Sequence, residues 1–166
     1  MTCPRQSLPA CADVLFLLFQ LGADRYAIDV HQVAEVLPML AVKQVPQAPE
    51  AVRGVFDYRG ASVPLIDLSE LALGRPAQPR LSTRIIVVHY PDQHGGMRLL
   101  GLLAEHVTEM MSRNAGDFHD SGVGLPHAKY LGRVASDARG LVQCIEVAHL
   151  LPVPVQELLF NAPVAA

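Results

Sequence analysis

The chain has 166 residues, 51% of them apolar and 17% charged, with a net charge of −3. That length fits one domain, or two small lobes sharing a core, and the apolar content is too high for a disordered segment. A weakly acidic chain whose Lys and Arg are scattered argues against a nucleic-acid partner, because phosphate backbones are held by basic clusters.

Residues 1–13 read as an N-terminal extension. Val14–Phe19 is apolar, but the run is short, follows Asp13 and lacks a small-residue cleavage site, so it reads as a strand and not as a secretory leader. Nothing approaches the ~20 apolar residues of a membrane span, and no direct membrane insertion is expected. The three cysteines, Cys3, Cys11 and Cys144, are odd in number and widely spaced, which fits a reducing compartment and a cytoplasmic protein.

Val14–Leu21, the turn Gly22–Asp24 and Arg25–Ile28 predict a hairpin. Asp29 then caps a predicted helix over Val30–Leu37, ended by Pro38, with Val30, Val33, Ala34 and Leu37 on its inner face and Glu35 turned away. A short strand is expected near Ala41–Val45. Val52–Tyr58 and Ala61–Ile66 form a second hairpin whose tip is Arg59-Gly60, with Gly60 free to take a positive φ. Pro64 cannot donate to a ladder, which predicts an edge there. Asp67 with Glu70 resembles a capping box for a helix over Leu68–Leu73 that Gly74 stops. Residues 74–80 then read as a linker.

The pattern begins again with strands Arg84–Tyr90 and Met97–Leu103. AIDVHQVAEVL (27–37) lies over GLLAEHVTEMM (101–111) without a gap, and RGASVPLIDLSEL (59–71) resembles ARGLVQCIEVAHL (138–150). This reads as an internal duplication: one domain over 14–152, with lobes of about 14–74 and 82–152, and a short C-terminal helix and tail at 153–166. Short strands with few ways to cover their edges favour barrel-like closure, and small lobes must bury apolar surface against each other.

Enzymatic patterns are missing: there is no G-x-S-x-G, phosphate loop, dinucleotide fingerprint or H-E-x-x-H. No catalytic residue, metal ligand or cofactor is assigned. The seven histidines, at 31, 89, 94, 106, 119, 127 and 149, contain no i,i+4 pair. Cys144 lies mid-strand, where an inert buried thiol is the commoner case. An enzyme using a histidine or Cys144 is the alternative from another class, and a regulatory binding module outside receptor arrays is the alternative among binding proteins.

The stretches FLLFQLGADRYAIDVHQVAEVL, VRGVFDYRGASVPLIDLSEL, RIIVVHY, LLGLLAEHVTEMM and YLGRVASDARGLVQCIEVAHLL together resemble the CheW-like chemotaxis coupling proteins, from about Val14 to Leu151. The most specific piece is the family's N-L-R-G followed by V-P-x-x-D-L, here Asp57-Tyr58-Arg59-Gly60 and Val63-Pro64-Leu65-Ile66-Asp67-Leu68. The resemblance implies two intertwined, five-stranded, SH3-like barrels and a non-catalytic adaptor between the cytoplasmic tips of chemoreceptors and the regulatory domain of a CheA-type histidine kinase. It places Val33, Glu35, Val36 and Arg59 beside the receptor-binding groove between the lobes. Asp57-Tyr58 departs from the family's Asn-Leu, and the loops at 91–96 and 112–127 are idiosyncratic, which raises a specialised pathway such as surface sensing or second-messenger output. For Arg59, an internal salt bridge to Glu35 or Asp57 competes with presentation to a partner.

Overall fold

The first strand, β1 (Asp13–Leu21), carries apolar residues on both faces, so it must be covered on both. A computed structural model describes residues 13–126 and 128–160; Cys3, Cys11, His127 and the ends of the chain lie outside the described residues. In it β1 turns through Gly22 into β2 (Asp24–Asp29), the antiparallel hairpin the sequence predicts, with Leu21 opposite Asp24. A hairpin of β4 (Val52–Tyr58) and β5 (Ala61–Asp67) is followed by helix α1 (Leu68–Leu73), which Gly74 ends at φ 72°. Next come β6 (Arg84–Pro91), β7 (Met97–Asn114), β8 (Leu131–Asp137), β9 (Gly140–Ile145) and helix α2 (Val153–Phe160).

Two expectations are corrected. Val30–Leu37 is not a helix: only Val30–Gln32 forms a 3-10 turn, capped by Asp29, and β3 (Val33–Pro38) follows as a strand against β6. The misleading feature is a bulge. Pairing jumps from Val33↔Val88 to Glu35↔Val87, so the side-chain alternation shifts by one and Val33 and Val36 pack on the same cluster, as helical spacing also requires. Inter-strand hydrogen bonds along β6 then outweigh the local preference. The strand expected near Ala41–Val45 shrinks to a single bridge, Lys43 to Val55 of β4, at 2.8 Å in both directions.

That bridge explains Pro64. Val55 spends its N–H and C=O on Lys43, so Val55 and its partner Pro64 form a pair without ladder bonds, and the missing N–H of Pro64 faces away from β4. On that side β5 pairs with β7 only from Leu65 onward. The proline stands where its lost donor costs little.

The strands form one hydrogen-bonded path, β3-β6-β7-β1-β2-β9-β8, with β5 on β7 and β4 on β5. β7 connects its halves. Its first part pairs with β6 and β5; its second part, from Glu105 onward and with His106 at φ 52°, pairs with β1. Two short parallel pairings link distant segments: Ala27↔Cys144 between β2 and β9, and Leu65↔Gly101 between β5 and β7. Ala27 and Gly101 are superposed in the gapless match, so each parallel pairing joins a strand from one similar stretch to a hairpin from the other. Bridges answer each other too: Lys43 meets Val55 of β4, and His119 meets Val134 of β8.

The largest apolar cluster takes Leu17, Phe19 and Ile28 from the early strands, Ile86, Val88 and Leu102 from β6 and β7, and Ile145 and Leu150 from the end. Ile85, Val87 and Leu103 face instead a smaller cluster around Phe56 and Leu65, and Phe16 and Leu18 face a third around Phe118. Strands β1 and β6 are therefore sandwiched, which accounts for their unbroken apolar runs. Phe118 packs on Phe16 with ring centroids 4.9 Å apart. Ile85 and Val42 pack in the second cluster with no such ring pair, and an open cavity of about 380 Å³ reaches Leu65, Ile85 and Leu103.

The linker at 74–80 is strapped down. Buried Asp67 accepts from Ser69 N–H and Glu70 N–H at the start of α1 and from Ala77 N–H at 2.9 Å, with Arg53 3.5 Å away. Buried Glu105 accepts from Gln78 N–H and the Ser69 hydroxyl. The reciprocal half of the expected capping box is absent, because the Asp67 N–H donates to Ala51 O.

Candidate functional site

The tip of the β4–β5 hairpin is a two-residue turn in which Arg59 and Gly60 both have positive φ, 50° and 85°. This is the twist a tight hairpin prefers, but an arginine in the left-handed region is uncommon. Asp57 accepts from Gly60 N–H at 2.8 Å and so braces the turn instead of meeting the guanidinium. Arg59, 75% exposed, reaches Glu35 of β3: Nη2 donates to Oε2 at 3.1 Å. Of the two internal partners open to it on sequence, Glu35 is the one used.

Tyr58 joins them. Its hydroxyl donates to the same Glu35 Oε2 at 2.7 Å, which pushes the phenol above its ordinary range, and the Arg59 guanidinium lies 5.3 Å from its ring centroid. The sequence marks Tyr58 only as a departure from the usual leucine; its part in this triad follows from the pairing of β4 with β5 and the placement of Glu35 on β3.

Val33 and Val36 are half-buried against the largest cluster, while Glu35 points the other way. Val36 lines an open groove of about 470 Å³ whose far wall holds Met110, Thr108 and Glu109 of β7, with Leu17 and Arg84 between. Met110 is 54% exposed. The groove therefore takes Val36 from the first V-x-E-apolar segment and all of Val107–Met110 from the second. The gapless match of 27–37 with 101–111 contains this signal, yet only the first of the two segments is assigned a role from sequence.

The second segment repeats the ion pair. Glu109 accepts from Arg139 through both carboxylate oxygens, at 3.3 and 2.7 Å, which draws the acid down and pushes the guanidinium up. Beside it, Arg25 pairs with Asp137, whose carboxyl is held down to about 2 by that hydrogen bond and by Arg139 N–H.

Cys144 is half-buried on β9, and burial pushes its thiol up to about 11, away from nucleophilic use. Among the described residues no cluster of three or more His, Cys, Asp or Glu could hold a metal ion, and no helix is long and apolar enough to cross a membrane.

The fold is similar to the crystal structure of the scaffolding protein TtCheW from Thermoanaerobacter tengcongensis, with a TM-score of 0.75 over 93% of this chain and 96% of that one at 20% identity. In sequence the chain is similar to chemotaxis protein CheW of Klebsiella aerogenes, 30% identical over 100 residues, and to chemotaxis protein CheW of Helicobacter pylori, 37% identical over 82 residues. These matches cover 60% and 49% of this chain, and the chain spans about half the length of the relatives it matches, 57% and 49%. The family described as the CheW-like domain matches residues 15–154. With most of its described residues inside that match, the chain belongs to the CheW-like domain family.

Proposed function

We propose that this chain is a non-catalytic cytoplasmic adaptor that couples the cytoplasmic tip of a chemoreceptor to the regulatory domain of a CheA-type histidine kinase. Its two lobes, about 14–74 and 82–152, are read as intertwined barrels; the equivalent parallel pairings Ala27↔Cys144 and Leu65↔Gly101 support that reading. The receptor edge is assigned to Val33, Glu35, Val36 and Arg59. The observation that carries the assignment is the exposed hairpin tip whose arginine, at positive φ, engages Glu35 of β3, the strand whose Val36 lines the open groove with Met110. A partner helix can lay an apolar stripe along such a groove while the charged rim fixes its register. Affinity per contact can be low, because an array raises the effective concentration of each partner. The thiol of Cys144, raised by burial, weighs against the enzymatic alternative.

The test is recovery of bound proteins from native lysate with wild type, Arg59→Ala and Glu35→Lys, read by mass spectrometry. Wild type is expected to retain a chemoreceptor and a histidine kinase, and both variants to lose the receptor selectively. Equal loss of both partners in a normally folded variant would show that the site is misassigned. Recovery of neither by wild type would remove the adaptor reading.

A further inference from the structure

The two Glu–Arg pairs differ in one respect. Glu109 gives both oxygens to Arg139, a closed fork. Glu35 gives only Oε2 to Arg59, and the Tyr58 hydroxyl holds the same oxygen at the shorter distance, 2.7 against 3.1 Å, which fixes the direction of the carboxylate. Among the described residues nothing bonds Glu35 Oε1, and Arg59 uses a single nitrogen in hydrogen bonds. Ala138 precedes Arg139, where Tyr58 precedes Arg59, so the closed pair has no phenol at that position to direct its carboxylate.

Tyr58 also restrains what it leaves open. Its ring is half-buried against the cluster around Phe56 and carries the Arg59 guanidinium on its face. An exposed Glu–Arg pair alone holds two flexible side chains weakly. A phenol anchored by packing removes much of that freedom before any partner arrives.

We infer that Tyr58 is a positioning and specificity-determining residue of the receptor edge: by holding Oε2 its hydroxyl turns the Glu35 carboxylate so that the pair with Arg59 stays single-pronged, and a free carboxylate oxygen stands beside free guanidinium N–H groups. The partner this fits is a receptor helix that offers a side-chain donor to Glu35 Oε1 and a side-chain acceptor to the Arg59 guanidinium. A leucine at position 58 would leave the pair free to fork shut, as Glu109 and Arg139 do. The inference rests on the adaptor reading.

The experiment is calorimetric titration of the full chain with a chemoreceptor cytoplasmic-tip fragment and, separately, with the kinase regulatory domain. The variants are Tyr58→Phe, Tyr58→Leu and Glu35→Lys, with a crystal structure of Tyr58→Phe. Tyr58→Phe keeps the ring and loses only the hydroxyl. It is expected to weaken receptor binding by about threefold to tenfold, the range for loss of one hydrogen bond, with kinase binding and Tm unchanged. In its crystal structure Arg59 should engage both Glu35 oxygens. Receptor binding equal to wild type in Tyr58→Phe, while Glu35→Lys loses it, overturns the role of Tyr58 and leaves the adaptor reading standing. An equal loss of receptor and kinase binding, or a fall in Tm, makes Tyr58 structural and also overturns it. Absence of receptor binding by wild type overturns both.

Discussion

Glu109 and Arg139 form a two-pronged hydrogen-bonded pair at the positions that answer to Glu35 and Arg59 when 101–111 is laid over 27–37 and the two R-G hairpins are matched. Both pairs close the space between an R-G hairpin tip and a strand running beside it. Both are exposed, so neither holds much folding free energy. Arg59→Ala and Arg139→Ala are each expected to lower Tm by no more than about 3 °C, judged by thermal unfolding followed by circular dichroism. The alanine at 59 inherits the same positive φ, so backbone strain does not change. A fall of ~10 °C in Arg59→Ala would make the residue a structural one and remove the argument that the turn exists to present it.

How much of this was legible in the sequence depends on how local each feature is. The β4–β5 hairpin, its R-G tip and the Asp67-capped helix are set by neighbouring residues, and they stand where the sequence places them. Val30–Leu37 reads as a helix because a bulge gives the strand at its end the three-residue spacing of a helix, and the hydrogen bonds that decide the matter come from β6, some fifty residues away. Of the site, Glu35 meeting Arg59 was one of two partners open to sequence reasoning. Tyr58 and the far wall at Met110 were not assigned, since each acquires its role from a strand brought in by tertiary pairing.

Asp137 makes stability depend on pH in a definite direction. Its carboxyl titrates at about 2 in the folded chain, below its ordinary 3.8, mainly because Arg25 donates to it. A depressed carboxylate contributes stability that is complete above its unfolded pKa and is lost as pH falls toward the folded one. Wild type should therefore lose Tm as pH drops from about 5 to about 2, and Asp137→Asn should be less stable at neutral pH with a shallower decline. The gap between the two must narrow on acidification. Parallel curves would mean that the Arg25–Asp137 contact contributes nothing to folding.

Asp67 should be far less tolerant. It is fully buried, accepts three backbone N–H groups and ties α1 to the linker through Ala77. Asp67→Ala leaves those donors unpaired and Arg53 without its nearest carboxylate, at a cost of about 3 kcal/mol or more. That corresponds to a Tm lower by about 10 °C for a chain of this size. Asp67→Asn keeps one acceptor oxygen, enough for the N-terminal cap of α1, and should fall between alanine and wild type. Hydrogen exchange at Ala77 gives the specific readout: faster in both variants, and unchanged only if the strap forms without the carboxylate.

Gly101 sits on β7 at the crossing of β5, where a Cβ would lie 2.5 Å from Phe56 Cε1 and 3.1 Å from Leu65 Cδ1. Its φ is not in the left-handed region, so the constraint is space and not backbone conformation. The Phe56 ring is buried in a packed cluster and cannot simply swing aside. Gly101→Ala is expected to destabilise by about 1–3 kcal/mol through overpacking, and Phe56→Leu in the same chain should return part of the loss. The double variant is the informative one. If it is less stable than the sum of the two single changes, the contact is not the cause, and the need for glycine lies elsewhere in the parallel pairing of Gly101 with Leu65.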